Sequence, residues 1–199
     1  MSNKRKRKSK FKPCLFCGRP ENVRPTPGRV WIEMFVGQIF AARQLLRQDE
    51  HVDRLVYMGM GEPLANYAAM VASIGLLTDK AGINMSPRRI TVSTAGLAHR
   101  LAAFGHDTTA NLAVSLNATT NAQRDRLMPK VNQKYPIEDL VAACRAFPMP
   151  ARRRLTFEYV LMAGENDSDD DASRLVELVQ GMRIKINLIP YTPTPRRPT

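Results

Sequence analysis

The sequence predicts an α/β fold built on a parallel sheet, and two observations carry that reading. From residue 30 onward, short apolar runs with strand character alternate with longer segments whose apolar residues recur at helical spacing, the order expected of βα units joined by crossovers. Polar residues recur at the ends of the strand-like runs: Glu62, Ser93 and Thr94, Ser115 and Asn117, Glu158, and Thr192. In a parallel sheet or barrel those ends point the same way, and that rim is where ligands collect. With 199 residues, 44% of them hydrophobic, the chain has enough material for one domain with a sizeable core.

In order, residues 1–29 lack a period and hold a basic run, Cys14, Cys17 and a Pro/Gly-rich stretch from Pro20 to Gly28, so they read as a poorly structured segment ahead of a core spanning 30–199. Residues 31–47 read as a helix. A strand at 54–58 precedes a helix at 66–80, a strand at 89–94 precedes a helix at 97–104, and a strand at 111–116 precedes a polar segment of helical tendency at 120–127. Ile137, Leu140, Val141, Cys144 and Phe147 then fall on one helical face, which makes Cys144 a core residue rather than a ligand. A strand at 154–162 leads through the acidic turn Asp167–Asp171 into a helix at 171–181, whose positive end those acids suit. A strand at 184–189 closes the series.

The net charge is +12, from 30 basic and 18 acidic residues. Lys4, Arg5, Lys6, Arg7, Lys8, Lys10 and Lys12 carry seven of those charges, so removing them leaves 23 against 18, or +5. The distribution reads either as contact with nucleic-acid phosphate or as a solvated basic tail. No apolar run is long enough for a membrane helix, and the N-terminus has no apolar signal core. Three cysteines make no disulfide framework and suit a reducing, cytoplasmic setting.

The densest signal is Met58 to Tyr67, reading Met-Gly-Met-Gly-Glu-Pro-Leu-Ala-Asn-Tyr, directly after the apolar run Leu55-Val56-Tyr57. Glycines let a backbone approach a ligand, and the Glu62 carboxylate can accept hydrogen bonds from a cationic amine. The same residues also suit a tight turn with a solvated glutamate. Likewise Ser93 or Thr94 could cap the next helix, and Asn117 could be a turn residue. Cys14 and Cys17, spaced Cys-x2-Cys, could be half a zinc knuckle or two free thiols, although His51, His99 and His106 have no finger spacing to the pair.

Five stretches, taken in order, resemble one family: residues 58–67, Arg88 to Gly96, Leu112 to Pro136, Arg154 to Ser168, and Lys185 to Pro193. They are similar to the radical S-adenosylmethionine (SAM) methyltransferases that modify an adenine of 23S ribosomal RNA, over roughly residues 33–195. The resemblance implies a partial (β/α)6 barrel, with the first strand and a C-terminal segment missing. It implies a 4Fe-4S cluster held by three cysteines, SAM bound at that cluster's open iron, 23S rRNA or a ribosomal precursor as substrate (with tRNA as a second), and an electron donor such as a flavodoxin. Gly61 and Glu62 match the family's SAM-amine motif and Ser93 a SAM-contacting serine. Ser115, Leu116 and Asn117 match its Ser-Leu-His or Ser-Leu-Asn triplet, and Thr192 stands where the family usually has an asparagine.

The chain departs from the pattern at the cluster motif. The family spacing is Cys-x3-Cys-x2-Cys; Cys14 and Cys17 match the last two positions, and Lys10, a donor that cannot act as a thiolate, occupies the first. The upstream methyl-handling cysteine would fall at Asn3, and the other would lie beyond Thr199, so no catalytic side chain is assigned. Such a chain reads as a truncated or frameshifted product or a divergent paralogue: an RNA methyltransferase domain, or alternatively a non-catalytic RNA- or ribosome-binding remnant of one.

Overall fold

The computed structural model describes residues 27–58, 61–151 and 153–192. The chain divides into two units, residues 1–52 and 53–199. The described part of the first is dominated by one helix, α1 (Pro27–Leu45). It starts four residues before the expected helix at 31–47, because a proline in the first turn loses no intrahelical bond and brings a helical φ with it.

The second unit follows the expected alternation: β1 (Leu55–Tyr57), α2 (Tyr67–Thr78), β2 (Ile90–Thr94), α3 (Ala98–Asp107), β3 (Asn111–Ser115), α4 (Asn121–Leu127), α5 (Pro129–Asn132), α6 (Ile137–Arg145), β4 (Leu155–Leu161), α7 (Asp169–Val179) and β5 (Ile184–Pro190). The five strands form one parallel sheet in the order β1-β2-β3-β4-β5. Each strand lies beside its predecessor in the chain, the sequential winding of a (β/α) barrel wall.

Register explains the chemistry of the two faces. One face carries Tyr57, Ile90, Val92, Leu112, Val114, Leu155, Phe157 and Tyr159, all buried, with Leu101, Phe104, Leu140 and Cys144 of the helices in the same core. The other face carries Ser93 opposite Ala113, and Ser115 opposite Glu158, which is in turn opposite Asn187. Parallel sheets usually bury both faces in branched apolar residues. Here β2, β3 and β4 alternate, and the small and polar half lines an open crevice.

The acidic turn works as the sequence suggests, with the boundary moved. Helix α7 begins at Asp169, with Ser168 as its cap: Ser168 Oγ accepts from the Asp171 amide, while the Asp171 carboxylate accepts from the Ser168 amide. Asp171 does more than cap. It is buried and accepts from Thr119 Oγ1 at 2.7 Å, Gln123 Nε2 at 2.6 Å and Arg174 Nη2 at 2.5 Å, tying α7 to the turn after β3. Burial works to raise its pKa, but the hydrogen bonds from Ser168, Gln123, Thr119 and Arg174 outweigh that and hold the carboxyl well below its usual range.

A group whose folded-state pKa is depressed stabilises the fold above its unfolded pKa, and that stability is lost as pH falls through the folded value. Replacing Asp171→Asn is therefore expected to cost about 2 kcal/mol at neutral pH. The gap from the wild type should narrow as pH drops below about 4. Urea denaturation at a series of pH values measures both, and a gap independent of pH would contradict the assignment.

Candidate functional site

The C-terminal parts of β2 to β5 and the loops that leave β1, β2 and β3 meet around a crevice of about 320 Å³. Its walls include Met58, Gly61, Glu62, Ser93, Ala95, Ser115, Asn117, Glu158, Val160 and Ile189. The volume is at the lower end of the range for small-molecule sites. Polar side chains from different strands converge there while the apolar halves of the same strands stay in the core.

The site residues differ in how far the protein already uses them. Glu62 is half-buried, and both of its oxygens are engaged: Oε1 accepts from the Leu64 amide at 3.0 Å, capping the short 3-10 turn Pro63–Asn66, and Oε2 accepts from the Ala95 amide at 2.7 Å. The glutamate is thus more than a solvated surface group; it staples the loop after β1 to the end of β2. A carboxylate has about four lone-pair positions, so two remain for a ligand. Gly61, beside it, has φ +102°, a conformation that side chains with a Cβ rarely adopt.

Asn117 adopts a left-handed conformation, φ +55°, at the end of β3, a role for which asparagine is suited. Its Oδ1 accepts from the Val160 amide at 2.9 Å, and its carbonyl accepts from Asn166 Nδ2 at 2.8 Å. Buried Asn166 also donates to the Val160 carbonyl and accepts from the Met162 amide. Asn117 is accordingly a turn residue that locks β3 to β4, as well as part of the crevice wall. Thr94 Oγ1 accepts from the Gly96 and Leu97 amides, so it closes the turn before α3.

Ser93, Ser115 and Glu158 are different. Each lines the crevice, and among the described residues none of their side chains makes a hydrogen bond. Ser115 lies directly across from Glu158 on the neighbouring strand, and Ser93 lies on the same face two strands away, on β2. The placement of Glu158 is legible in the sequence, because Leu155, Phe157 and Tyr159 alternate with it; once those face the core, Glu158 must face away. Leu116 and Thr192 are not brought to the crevice. The Leu116 side chain is fully buried, its amide donating to the Glu158 carbonyl, while Thr192 is exposed and off the wall. Cys14, Cys17 and Lys10 lie outside the described residues. Cys144 is in the core, where burial pushes its thiol up to about 12, against the pull of Arg124. Among the described residues no three His, Cys, Asp or Glu side chains cluster as metal ligands, and no helix is long and apolar enough to cross a membrane.

Behind the strand ends is a residue that the sequence reading did not single out. Arg124, on α4, is fully buried, and burial lowers its pKa, with Asp125 acting in the opposite direction. Nη2 donates to the Ala95 carbonyl at 2.8 Å, Nε to the Leu116 carbonyl at 3.3 Å, and Nη1 to the Tyr135 carbonyl at 3.0 Å and Asn132 Oδ1 at 3.3 Å. One guanidinium thus fixes the loops after β2 and β3 and the entry to α6. Gly96 passes so close that a Cβ there would lie 3.0 Å from Arg124 Nη2 and 3.0 Å from Leu140 Cδ2, and its φ is +115°.

No family model matches the chain. Similar proteins include the dual-specificity RNA methyltransferase RlmN of Desulfosudis oleivorans, 48% identical over 184 residues covering 89% of this chain and 47% of that protein. The protein of the same name from Geotalea uraniireducens is 52% identical over 146 residues, 73% of this chain and 42% of that protein. Among solved structures, a radical SAM methyltransferase from Sphaerobacter thermophilus superposes with a TM-score of 0.73 at 40% identity, over 84% of this chain and 48% of that one. The chain spans about half the length of the curated relatives it matches.

Replacing Arg124→Met is expected to remove the donor from three carbonyls around the crevice, costing at least about 3 kcal/mol at about 1 kcal/mol for each. Arg124→Lys should recover little, since an ammonium cannot span the same fork. Urea midpoints of the three proteins check both. An unchanged midpoint for the methionine variant would rule out the clamp.

Proposed function

We propose, from the premise that this chain belongs to the radical SAM RNA methyltransferase family, that its crevice binds S-adenosylmethionine and that the chain is the core of an enzyme methylating an adenine of RNA. The observation that carries this reading is the convergence of Glu62, Ser93, Ser115 and Glu158 on one crevice at the strand ends. S-adenosylmethionine, when bound, supplies the methyl group. Glu62 offers its remaining lone pairs to the α-ammonium, and it is prepaid: the Leu64 and Ala95 amides already hold its rotamer, so little side-chain entropy is lost on binding. Ser93 and Ser115 supply hydroxyls that can donate to a carboxylate or accept from a sugar hydroxyl. Glu158 serves as acceptor for the ribose hydroxyls. Val160 and Ile189 give an apolar wall for the adenine ring.

The residues that should hold the 4Fe-4S cluster fit less well. The chain has three cysteines; Cys144 is buried in the core, and Cys14 and Cys17 leave the third position to Lys10. Two thiolates do not make the three-thiolate set that such a cluster uses. That mismatch supports a second reading, a module that binds RNA or ribosomal particles without catalysis. The substrates in the first reading are 23S rRNA and tRNA, and its redox partner is a donor of the flavodoxin kind.

Calorimetric titration of the full chain with S-adenosylmethionine tests the crevice. Glu62→Gln and Glu158→Gln are each expected to weaken binding about tenfold or more, the cost of losing one charge-assisted hydrogen bond. Undiminished affinity in both would contradict the assignment. Anaerobic reconstitution with iron and sulfide separates the two functional readings: about four irons per chain supports the enzyme, and none supports the binding module.

A further inference from the structure

Beside the crevice is a group of side chains that the S-adenosylmethionine reading does not use. Helix α3 begins just after Ala95, so His99 and Arg100 in its first turn stand next to the crevice wall. Both are exposed. Each is backed by a tyrosine from a neighbouring segment, Tyr67 at the start of α2 and Tyr135 in the loop before α6. The Arg100 guanidinium lies 5.1 Å from the centroid of Tyr67, which opens α2 after the Glu62 turn. The His99 imidazole stacks on Tyr135, centroids 5.4 Å apart with 14° between the planes, and its Nδ1 meets the Tyr135 hydroxyl at 2.5 Å. Lys134 Nζ lies 5.5 Å from the centroid of the same ring. Tyr135 is anchored through its carbonyl by Arg124, the residue that also holds Ala95. The platform and the crevice rim are thus set by one guanidinium.

The charges in this group are available. Among the described residues neither Arg100 nor Lys134 forms a salt bridge. The acid that touches the group, Asp107, is taken by the Tyr67 hydroxyl at 2.7 Å. Burial, then Arg100 and Lys134, lower the pKa of His99, so at about pH 7.5 it offers a neutral plane rather than a third charge.

We propose that His99, Arg100 and Lys134, backed by Tyr67 and Tyr135, form the surface on which a looped, single-stranded RNA segment lies to present its base to the crevice. Exposed planar groups fixed on aromatic rings extend a stack with unpaired bases, and cations without protein partners take the flanking phosphates. A duplex keeps its bases stacked internally and would use only the charges, whereas an acidic peptide would use the charges and gain nothing from the planes. This inference rests on the RNA methyltransferase reading and adds where the RNA lies.

Fluorescence anisotropy of a labelled RNA hairpin with an adenine-containing loop, titrated with full chains over a range of salt, tests it. The variant Arg100→Glu/Lys134→Glu is compared with Lys80→Glu/Lys185→Glu, which makes the same change of net charge at exposed positions off the patch. The patch variant is expected to lose about tenfold or more in affinity, with a salt slope smaller by about 2, while the control changes by less than about threefold. His99→Ala should weaken hairpin binding about fivefold or more at pH 7.5 with the salt slope unchanged. Thermal unfolding confirms folding, and Arg100→Gln/Lys134→Gln replaces the charge reversal if it fails to fold. Equal losses in patch and control variants, no loss in the patch variant, or equal displacement of the hairpin by duplex RNA or polyglutamate would overturn the proposal. Titration of each protein with S-adenosylmethionine keeps the two readings apart. RNA binding lost with S-adenosylmethionine binding intact supports the surface. S-adenosylmethionine binding absent from the wild type sinks the crevice reading and leaves the RNA result to decide the surface.

Discussion

The site end of this molecule depends on a buried positive charge. Arg124 is fully enclosed, and among the described residues it has no carboxylate partner at salt-bridge distance. Burying an unpaired ion is costly, and the cost is offset here only because carbonyl dipoles from Ala95, Leu116 and Tyr135, together with Asn132, surround the guanidinium in its own fork geometry. The Ala95 and Leu116 carbonyls sit just past the ends of β2 and β3, the Tyr135 carbonyl sits at the entry to α6, and among the described residues no backbone amide outside regular helices and strands donates to them. Charge and carbonyls therefore specify each other's positions. Gly96 is the steric corollary, since its missing Cβ is the space in which Arg124 and Leu140 sit.

From that clamp the division of labour at the strand ends follows. Beyond the last backbone pairs, side chains take over the task of joining strands. Asn117 continues the β3–β4 seam through the Val160 amide, Asn166 closes it from the other side, and Glu62 fastens the loop after β1 to Ala95. With the backbone held this way, Ser93, Ser115 and Glu158 are left with hydrogen-bonding capacity facing an open crevice. Polar groups placed rigidly without internal partners are what a ligand site requires, because their orientation is settled before binding. Glu62 belongs to both groups, which makes its substitution informative about binding only alongside that of Glu158.

Much of this was legible in the sequence, and the parts that were not have physical causes. The strand and helix order, the acidic turn ahead of α7 and the shared rim of Glu62, Ser93, Ser115 and Asn117 follow from periodicity and strand ends, which are local signals, whereas the Ser168 cap and the helix start at Asp169 were not read from them. The early start of α1 escaped because Pro25 to Gly28 reads as loop, yet a proline fits a first helical turn. Arg124 escaped because an arginine within Asn-Ala-Gln-Arg-Asp-Arg-Leu looks like any solvated helix position; only tertiary packing buries it. Leu116 and Thr192 were placed with their neighbours by pattern, but alternation along the strand turns the Leu116 side chain into the core, and Thr192 stands beyond the end of β5. The double bonding of Glu62 required knowing that the ends of β1 and β2 are adjacent, information that no ten-residue window contains.

On the proposed function, the loops held by Arg124, Asn117 and Glu62 close on one ligand at the C-terminal rim of the sheet. Hydrogen–deuterium exchange of the full chain, with and without S-adenosylhomocysteine, addresses it directly, since that product analogue reports binding without turnover. Exchange is expected to slow in residues 61–66, 93–97 and 115–119 together, with residues 108–112 at the opposite ends of the strands unchanged. Slowed exchange confined to residues 108–112, or no change anywhere at saturating ligand, would contradict it.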